Sequence, residues 1–311
     1  MDKKIFISIF SAVIIISLIS SCQRGKNKLA SKITNKIHWE QVSENLAFPE
    51  GPAWDRAGSI YFSNCNGGWI AKYHDGKTDT FLMAENNSFQ KTNGLAFRAG
   101  FLYACEYGTG KILKISPAGK VETYADRYEG ENFNRPNDLA FDKQGNLYFT
   151  DPKSYGADKL DGRLFCIKKN TGKVVLMDDS LAFPNGIAFY GDGDQLYVCE
   201  SALNRIVKYD INKNGNLSDK QTFVELPGGD PDGIAFDSEG NLYAAHFGGG
   251  HMYVISRRGK ILKKVETPGE KPTNLEFGGR DLKTLYLTEV ETQAMYRAKV
   301  DIPGLPLYPA E

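Results

Sequence analysis

The sequence predicts an all-β protein, a six-bladed β-propeller with four antiparallel strands per blade, and three observations carry the prediction. One six-residue plan recurs along the chain: PEGPAW (49–54), TNGLAF (92–97), PNDLAF (136–141), PNGIAF (184–189), PDGIAF (231–236) and PTNLEF (272–277). The closing aromatics Trp54, Phe97, Phe141, Phe189, Phe236 and Phe277 stand 43, 44, 48, 47 and 41 residues apart, room for four short strands in each period. The last repeat supplies only three strands, whereas IHWEQVS (37–43) precedes the first repeat and belongs to none. Setting that segment on the outer edge of the last blade closes the ring and covers an open strand edge. A solenoid or two separate domains would leave it unexplained.

In chain order, residues 1–21 read as a signal peptide. Lys3 and Lys4 give a charged start, and Ile5 to Ile19 form an apolar run of 15 residues. That is shorter than the roughly 18 residues of a spanning helix. Ile19-Ser20-Ser21-Cys22 then resembles the lipobox of bacterial lipoproteins. The resemblance implies that Cys22 is lipidated, that residues 22–36 form a polar, Lys-rich tether, and that residues 37–311 are the propeller. The expected location is therefore a bacterial membrane surface, the outer membrane facing the periplasm being preferred because Gln23, not Asp, follows the cysteine.

Within 37–311 each closing aromatic is followed by a Gly- and Asp-rich turn such as DRAG, DKQGN or DSEGN. An alternating strand with a Tyr comes next: SIYFS, FLYACE, NLYFTD, QLYVCE, NLYAAH and TLYLTE. Third strands (WIAKYH, KILKIS, RIVKYDI) and fourth strands (DTFLMA, VETYA, QTFVEL) complete most blades. HFGGGH (246–251) reads as a hairpin turn. Cys65, Cys105, Cys166 and Cys199 have no CxxC spacing and read as buried packing residues, not a zinc site.

With 38 basic against 38 acidic residues, no overall field draws in nucleic acid, and contact with a membrane is expected only through the lipid anchor. GxSxG, Walker and dinucleotide fingerprints are absent, which leaves no sequence case for a serine triad or nucleotide chemistry. The expected partner is a small molecule, and the expected state a monomer.

In a propeller the innermost strands surround a central channel, so residues opening them face one axial spot. Four residues before each aromatic stand Glu50, Asn93, Asn137, Asn185, Asp232 and Thr273, all bearing side-chain oxygen. Asn and Asp before Gly are also ordinary turn residues, but Glu is a poor turn former. A ring of carboxylate and amide oxygens suits a hard divalent cation, Ca2+ first, with Mg2+, Mn2+ or Zn2+ as alternatives. Antiparallel pairing brings a second ring to the same end: Asn64, Glu106, Asp151, Glu200, His246 and Glu289. These side chains are expected either to accept substrate hydroxyls, to support the ligands, or to form a solvated rim. Residues 151–162 are the candidate lid, and Arg135 on this face can bind a carboxylate or a developing oxyanion.

The segments FPEGPAWD, RPNDLAFDKQGNLYFTDP, FPNGIAF, DPDGIAFDSEGNLYAAHFGGG and PTNLEFGGRDLKTLYLTE resemble the senescence marker protein/gluconolactonase (regucalcin-like) family over about residues 47–300. The resemblance implies a six-bladed propeller holding one divalent cation and opening lactones by metal-assisted hydrolysis. It also implies Glu50, Asn185 and Asp232 as metal ligands, Asn137 beside the cation, Arg135 contacting substrate, and Asp232 as general base. The rival readings are a lipid-anchored binding module with a structural cation, and a phosphotriesterase-like or strictosidine synthase-like propeller enzyme.

Overall fold

The computed structural model describes residues 37–306 except 192, 213 and 214. The expected signal peptide, Cys22 and the tether to residue 36 lie outside the described residues, as do 307–311. Six four-stranded antiparallel sheets follow one another in chain order. Blade 1 comprises Pro49–Trp54, Ser59–Asn64, Trp69–His74 and Lys77–Met83. Blade 2 comprises Thr92–Arg98, Phe101–Glu106, Lys111–Ile115 and Val121–Ala125. Blade 3 is built from Leu139–Phe141, Leu147–Asp151, Gly162–Ile167 and Val174–Leu181, and blade 4 from Pro184–Tyr190, Gln195–Glu200, Arg205–Ile211 and Leu217–Glu225. Blade 5 contains Asp230–Phe236, Leu242–Phe247, His251–Ile255 and Ile261–Glu266. Blade 6 contains Pro272–Gly278, Thr284–Glu289 and Ala294–Lys299, and its outer strand is the N-terminal Glu40–Ser43.

That N-terminal strand pairs antiparallel with Ala294–Lys299, the ring closure expected from the stray segment. Arg297 forks onto Glu40 at 2.7 and 2.8 Å, an exposed pair that adds little beside the backbone ladder. Trp39 ties the segment to blade 5 by donating its Nε1–H to the Glu266 carbonyl at 2.9 Å.

The recurring Tyr and the recurring closing aromatic are two halves of one contact. Tyr61, Tyr103, Tyr148, Tyr197 and Tyr243 each meet the closing aromatic of the following blade at centroid distances of 5.8, 4.9, 5.1, 4.9 and 5.1 Å. Tyr286 shares a cluster with Trp54 and completes the circuit. Such pairs add about 0.5–1.5 kcal/mol each beyond area burial, so the repeat keeps its aromatics because they join the blades. Buried hydroxyls staple the same seams nearer the axis. Ser63 Oγ donates to the Asn93 carbonyl (2.6 Å), Thr150 Oγ1 to Asn185 (2.8 Å), Ser201 Oγ to Pro231 (2.8 Å) and Thr273 Oγ1 to Pro49 (2.9 Å). Cys65, Cys105, Cys166 and Cys199 are buried and free, as packing residues would be.

Candidate functional site at the propeller axis

The inner strands do not run as plain ladders at the axial end. Pairing slips between Glu50 and Ala53, Thr92 and Leu95, Pro184 and Ile187, Pro231 and Ile234, and Pro272 and Asn274. A bulge leaves a residue off the ladder and turns its side chain away from the sheet, which is how an inner strand presents a polar group to the channel. The residue after the axial one is Gly at four blades, because the next blade's inner strand approaches too closely for a side chain. A Cβ on Gly51 would lie 2.4 Å from the Asn93 carbonyl oxygen, and one on Gly186 2.1 Å from that of Asp232.

Glu50, Asn185 and Asp232 come together as an almost dry group, with relative exposures of 4, 8 and 6%. Burial pushes the Glu50 carboxyl up to about 8; the Asp138 charge adds to this, while the Gly51 N–H (2.9 Å) and the Asn274 carboxamide oppose it. Asp232 is raised well above the carboxylate range, first by burial and then by Glu50, Asp138 and Asp230, with Asn185 pulling the other way. Its Oδ1 atom is buried without a partner. Two carboxyl groups that destabilise each other's charge, one with an orphaned oxygen, form a site that lacks a positive counterpart. Among the described residues no three His, Cys, Asp or Glu side chains converge, so amide oxygens must complete any cation's donors.

Asn93 and Asn137 are half-buried and line the cleft above this group, together with Phe48, Cys65, Asn66, Tyr107, Arg135, Pro152 and Phe183. The cleft measures about 260 Å3. Arg135 is exposed at its mouth, donates to the Lys153 carbonyl, and lies 6.0 Å over the Phe183 ring. The expected lid crosses this end as a strap. Tyr155 packs edge-on to Phe183 of blade 4 (5.2 Å) and donates its hydroxyl to Asp230 of blade 5 (2.9 and 3.0 Å).

Thr273 departs from the axial reading. It is fully buried, and its hydroxyl contacts Pro49 O, Thr288 O and Thr288 Oγ1, so it is a staple between blades 6 and 1. Its neighbour Asn274 faces the channel instead, as does Asp138 in blade 3, whose carboxyl burial pushes up to about 6. Sequence reasoning passed over both, although they are the two non-glycine residues at the position after the axial one.

The second ring is also placed differently from a substrate-facing collar. Glu106 and Asp151 are fully buried and do not line the cleft. Glu106 accepts from the Gln90 and Lys91 amides (3.2 and 3.1 Å) and from Thr109. Asp151 accepts from the Asn134 and Arg135 amides (3.1 and 2.8 Å) and from Arg163 (2.7 Å). Asn64, Glu200 and Glu289 bond the Ala47, Ala182 and Lys271 amides in the same way (2.9, 3.0 and 2.8 Å). Each pins the segment leading into its blade's inner strand. His246 reverses the polarity, bonding the Leu226 carbonyl through Nε2 (2.9 Å).

The profile of the SMP-30/Gluconolactonase/LRE-like region matches residues 48–291. A gluconolactonase of Zymomonas mobilis is 29% identical, with 84% of this chain and 81% of the relative covered. The diisopropyl-fluorophosphatase of Loligo vulgaris is also 29% identical, over 83% of this chain and 90% of its own. Among solved structures, a gluconolactonase from Xanthomonas campestris superposes with a TM-score of 0.78 at 26% identity, covering 89% of this chain and 93% of that one.

Proposed function

The chain belongs to the SMP-30/gluconolactonase/LRE-like family, and from that membership and the axial site we propose that it is a divalent-cation-dependent hydrolase opening a sugar or other small lactone. The observation that carries the cation dependence is the buried pair Glu50 and Asp232, with Asp232 Oδ1 unpartnered and the Asn185 carboxamide beside it. Glu50, Asn185 and Asp232 would hold the ion, with Asn137 next to it; all four offer oxygen, which suits Ca2+ first and Mg2+, Mn2+ or Zn2+ as alternatives. A cation bound there supplies Lewis-acid polarisation of the lactone carbonyl and stabilises the charge that develops on its oxygen.

The chain's own groups then have definite tasks. The Asp232 carboxylate receives the proton of the attacking water and returns it to the leaving ring oxygen. The Arg135 guanidinium and the Asn137 carboxamide on the cleft wall orient the lactone oxygens. The Tyr155 strap limits water above the bound ring. Glu106 and Asp151 act through the backbone, holding the rim segments that carry Lys91 and Arg135. The fluorophosphatase relative keeps a second reading in play, phosphotriester hydrolysis at the same ion. A metal-free strictosidine synthase-like enzyme gives no reason for the Glu50 and Asp232 pair; a lipid-anchored binding module with a structural cation shares the pair and is separated by the turnover assay below. We also propose export and lipid anchoring through Cys22, with the propeller on the periplasmic side of the outer membrane.

Elemental analysis of the purified protein, followed by lactone and phosphotriester panels with and without chelator, tests the reading. About one equivalent of divalent metal and chelator-sensitive lactone opening are expected. Metal-free protein with chelator-insensitive turnover would overturn it.

A further inference from the structure

Two residues before each axial position stands a rim residue: Phe48, Lys91, Arg135, Phe183, Asp230 and Lys271. Phe48 and Phe183 are the aromatic ones, on blades 1 and 4, which a six-membered ring sets opposite each other. Both have left-handed backbones, with φ of 59° and 52°, a region bulky side chains rarely enter. The same two bonds flank it in both blades. The preceding amide is held by the collar (Ala47 N to Asn64 Oδ1, 2.9 Å; Ala182 N to Glu200 Oε1, 3.0 Å). The phenylalanine carbonyl accepts from the residue after the collar (Cys65 N, 3.0 Å; Ser201 N, 3.2 Å).

Glycine would fit such a backbone without strain, so a half-exposed phenylalanine there asks for a compensating role. Both rings line the cleft, to which Tyr107 and Pro152 add further apolar surface beside the Arg135 and Asn137 polar groups. Meanwhile Glu106 and Asp151, the carboxylates that would have received a polyol's hydroxyls, are fully buried and bonded to backbone amides. We propose that the substrate is a lactone bearing an apolar alkyl or aryl substituent, gripped between Phe48 and Phe183, in preference to a polyhydroxylated sugar lactone. This rests on the lactonase reading and narrows it.

The test has a turnover arm and a binding arm. With cation-loaded protein, kcat/KM for δ-decalactone is expected to exceed that for glucono-δ-lactone at least tenfold, mainly through KM, because each buried methylene of the side chain adds to binding. The Phe183→Gly and Phe48→Gly variants accept the left-handed backbone, so the fold should be retained while the preference falls about tenfold in each. In the second arm, calorimetry compares the non-hydrolysable δ-decanolactam with gluconolactam on wild type and both variants. Tighter binding of δ-decanolactam, weakened in the variants, supports the inference. Equal or tighter binding of gluconolactam, or a preference unchanged in both variants, overturns it. If neither lactone is opened but the lactam preference and its loss are seen, the lactonase reading fails and the apolar-ligand inference stands.

Discussion

Replacing Glu50 with Gln should stabilise the cation-free protein at alkaline pH and abolish its response to Ca2+. Glu50 is 4% exposed, and its carboxyl is pushed from 4.5 to about 8, chiefly by burial. A carboxyl whose folded pKa lies above its unfolded value contributes stability that is complete below the unfolded value. That stability is lost as pH rises through the folded one. The window here runs from about 4.5 to about 8. A gap of this size has a ceiling of about 5 kcal/mol once Glu50 is fully ionised. At roughly 2 °C per kcal/mol for a chain of this length, the difference is on the order of 10 °C in Tm. Asp232 acts in the same direction, since removing the Glu50 charge removes one cause of its own raised pKa. The assay is thermal unfolding in chelator at pH 5 and pH 9, wild type against Glu50→Gln. The two proteins should melt together at pH 5, and the wild type should fall well below the variant at pH 9. Excess Ca2+ should then recover about 3 kcal/mol of wild-type stability at 100 times its Kd and leave the variant unmoved. Parallel pH profiles, or equal stabilisation of both proteins by Ca2+, would refute the reasoning.

Asp232→Asn keeps the shape of the axial group but removes the proton acceptor and one ligand carboxylate, so lactone kcat should drop by about 10^2 to 10^4 with Tm in chelator at pH 7 retained; steady-state kinetics beside a melting curve checks both. Glu289→Ala removes the buried carboxylate that accepts from the part-buried Lys271, Glu291 and Thr292 amides, which should cost about 1–3 kcal/mol, read as a lower midpoint in denaturant; an unchanged midpoint would show the collar to be dispensable. Deleting residues 37–43 uncovers the Ala294–Lys299 edge, so size-exclusion chromatography should show self-association where the intact chain elutes as one species. Cys22→Ser should abolish incorporation of labelled fatty acid into the protein, and unchanged labelling would end the lipid-anchor proposal.

The architecture could be read from the linear chain because a propeller is a local fold repeated. The Tyr and the closing aromatic of each period had to recur, since each tyrosine packs on the next blade's aromatic. The missing outer strand of blade 6 could likewise be read at the opposite terminus, because an edge needs a partner. Glu50, Asn185 and Asp232 were also accessible, as oxygen-bearing residues in a fixed register. Equal register does not guarantee equal orientation, however, and only the tertiary structure decided that. In blade 6 the Thr273 hydroxyl bonds Pro49 and Thr288 in the seam while Asn274 lines the channel, although the ladder slips there as it does in four other blades. Glu106 and Asp151 looked like substrate groups because spacing cannot show which backbone amides close over a carboxylate. The left-handed backbone at Phe48 and Phe183 was likewise decided by the tertiary structure: blade 2 makes the same pair of collar bonds around Lys91 without it, so the repeat pattern does not encode it.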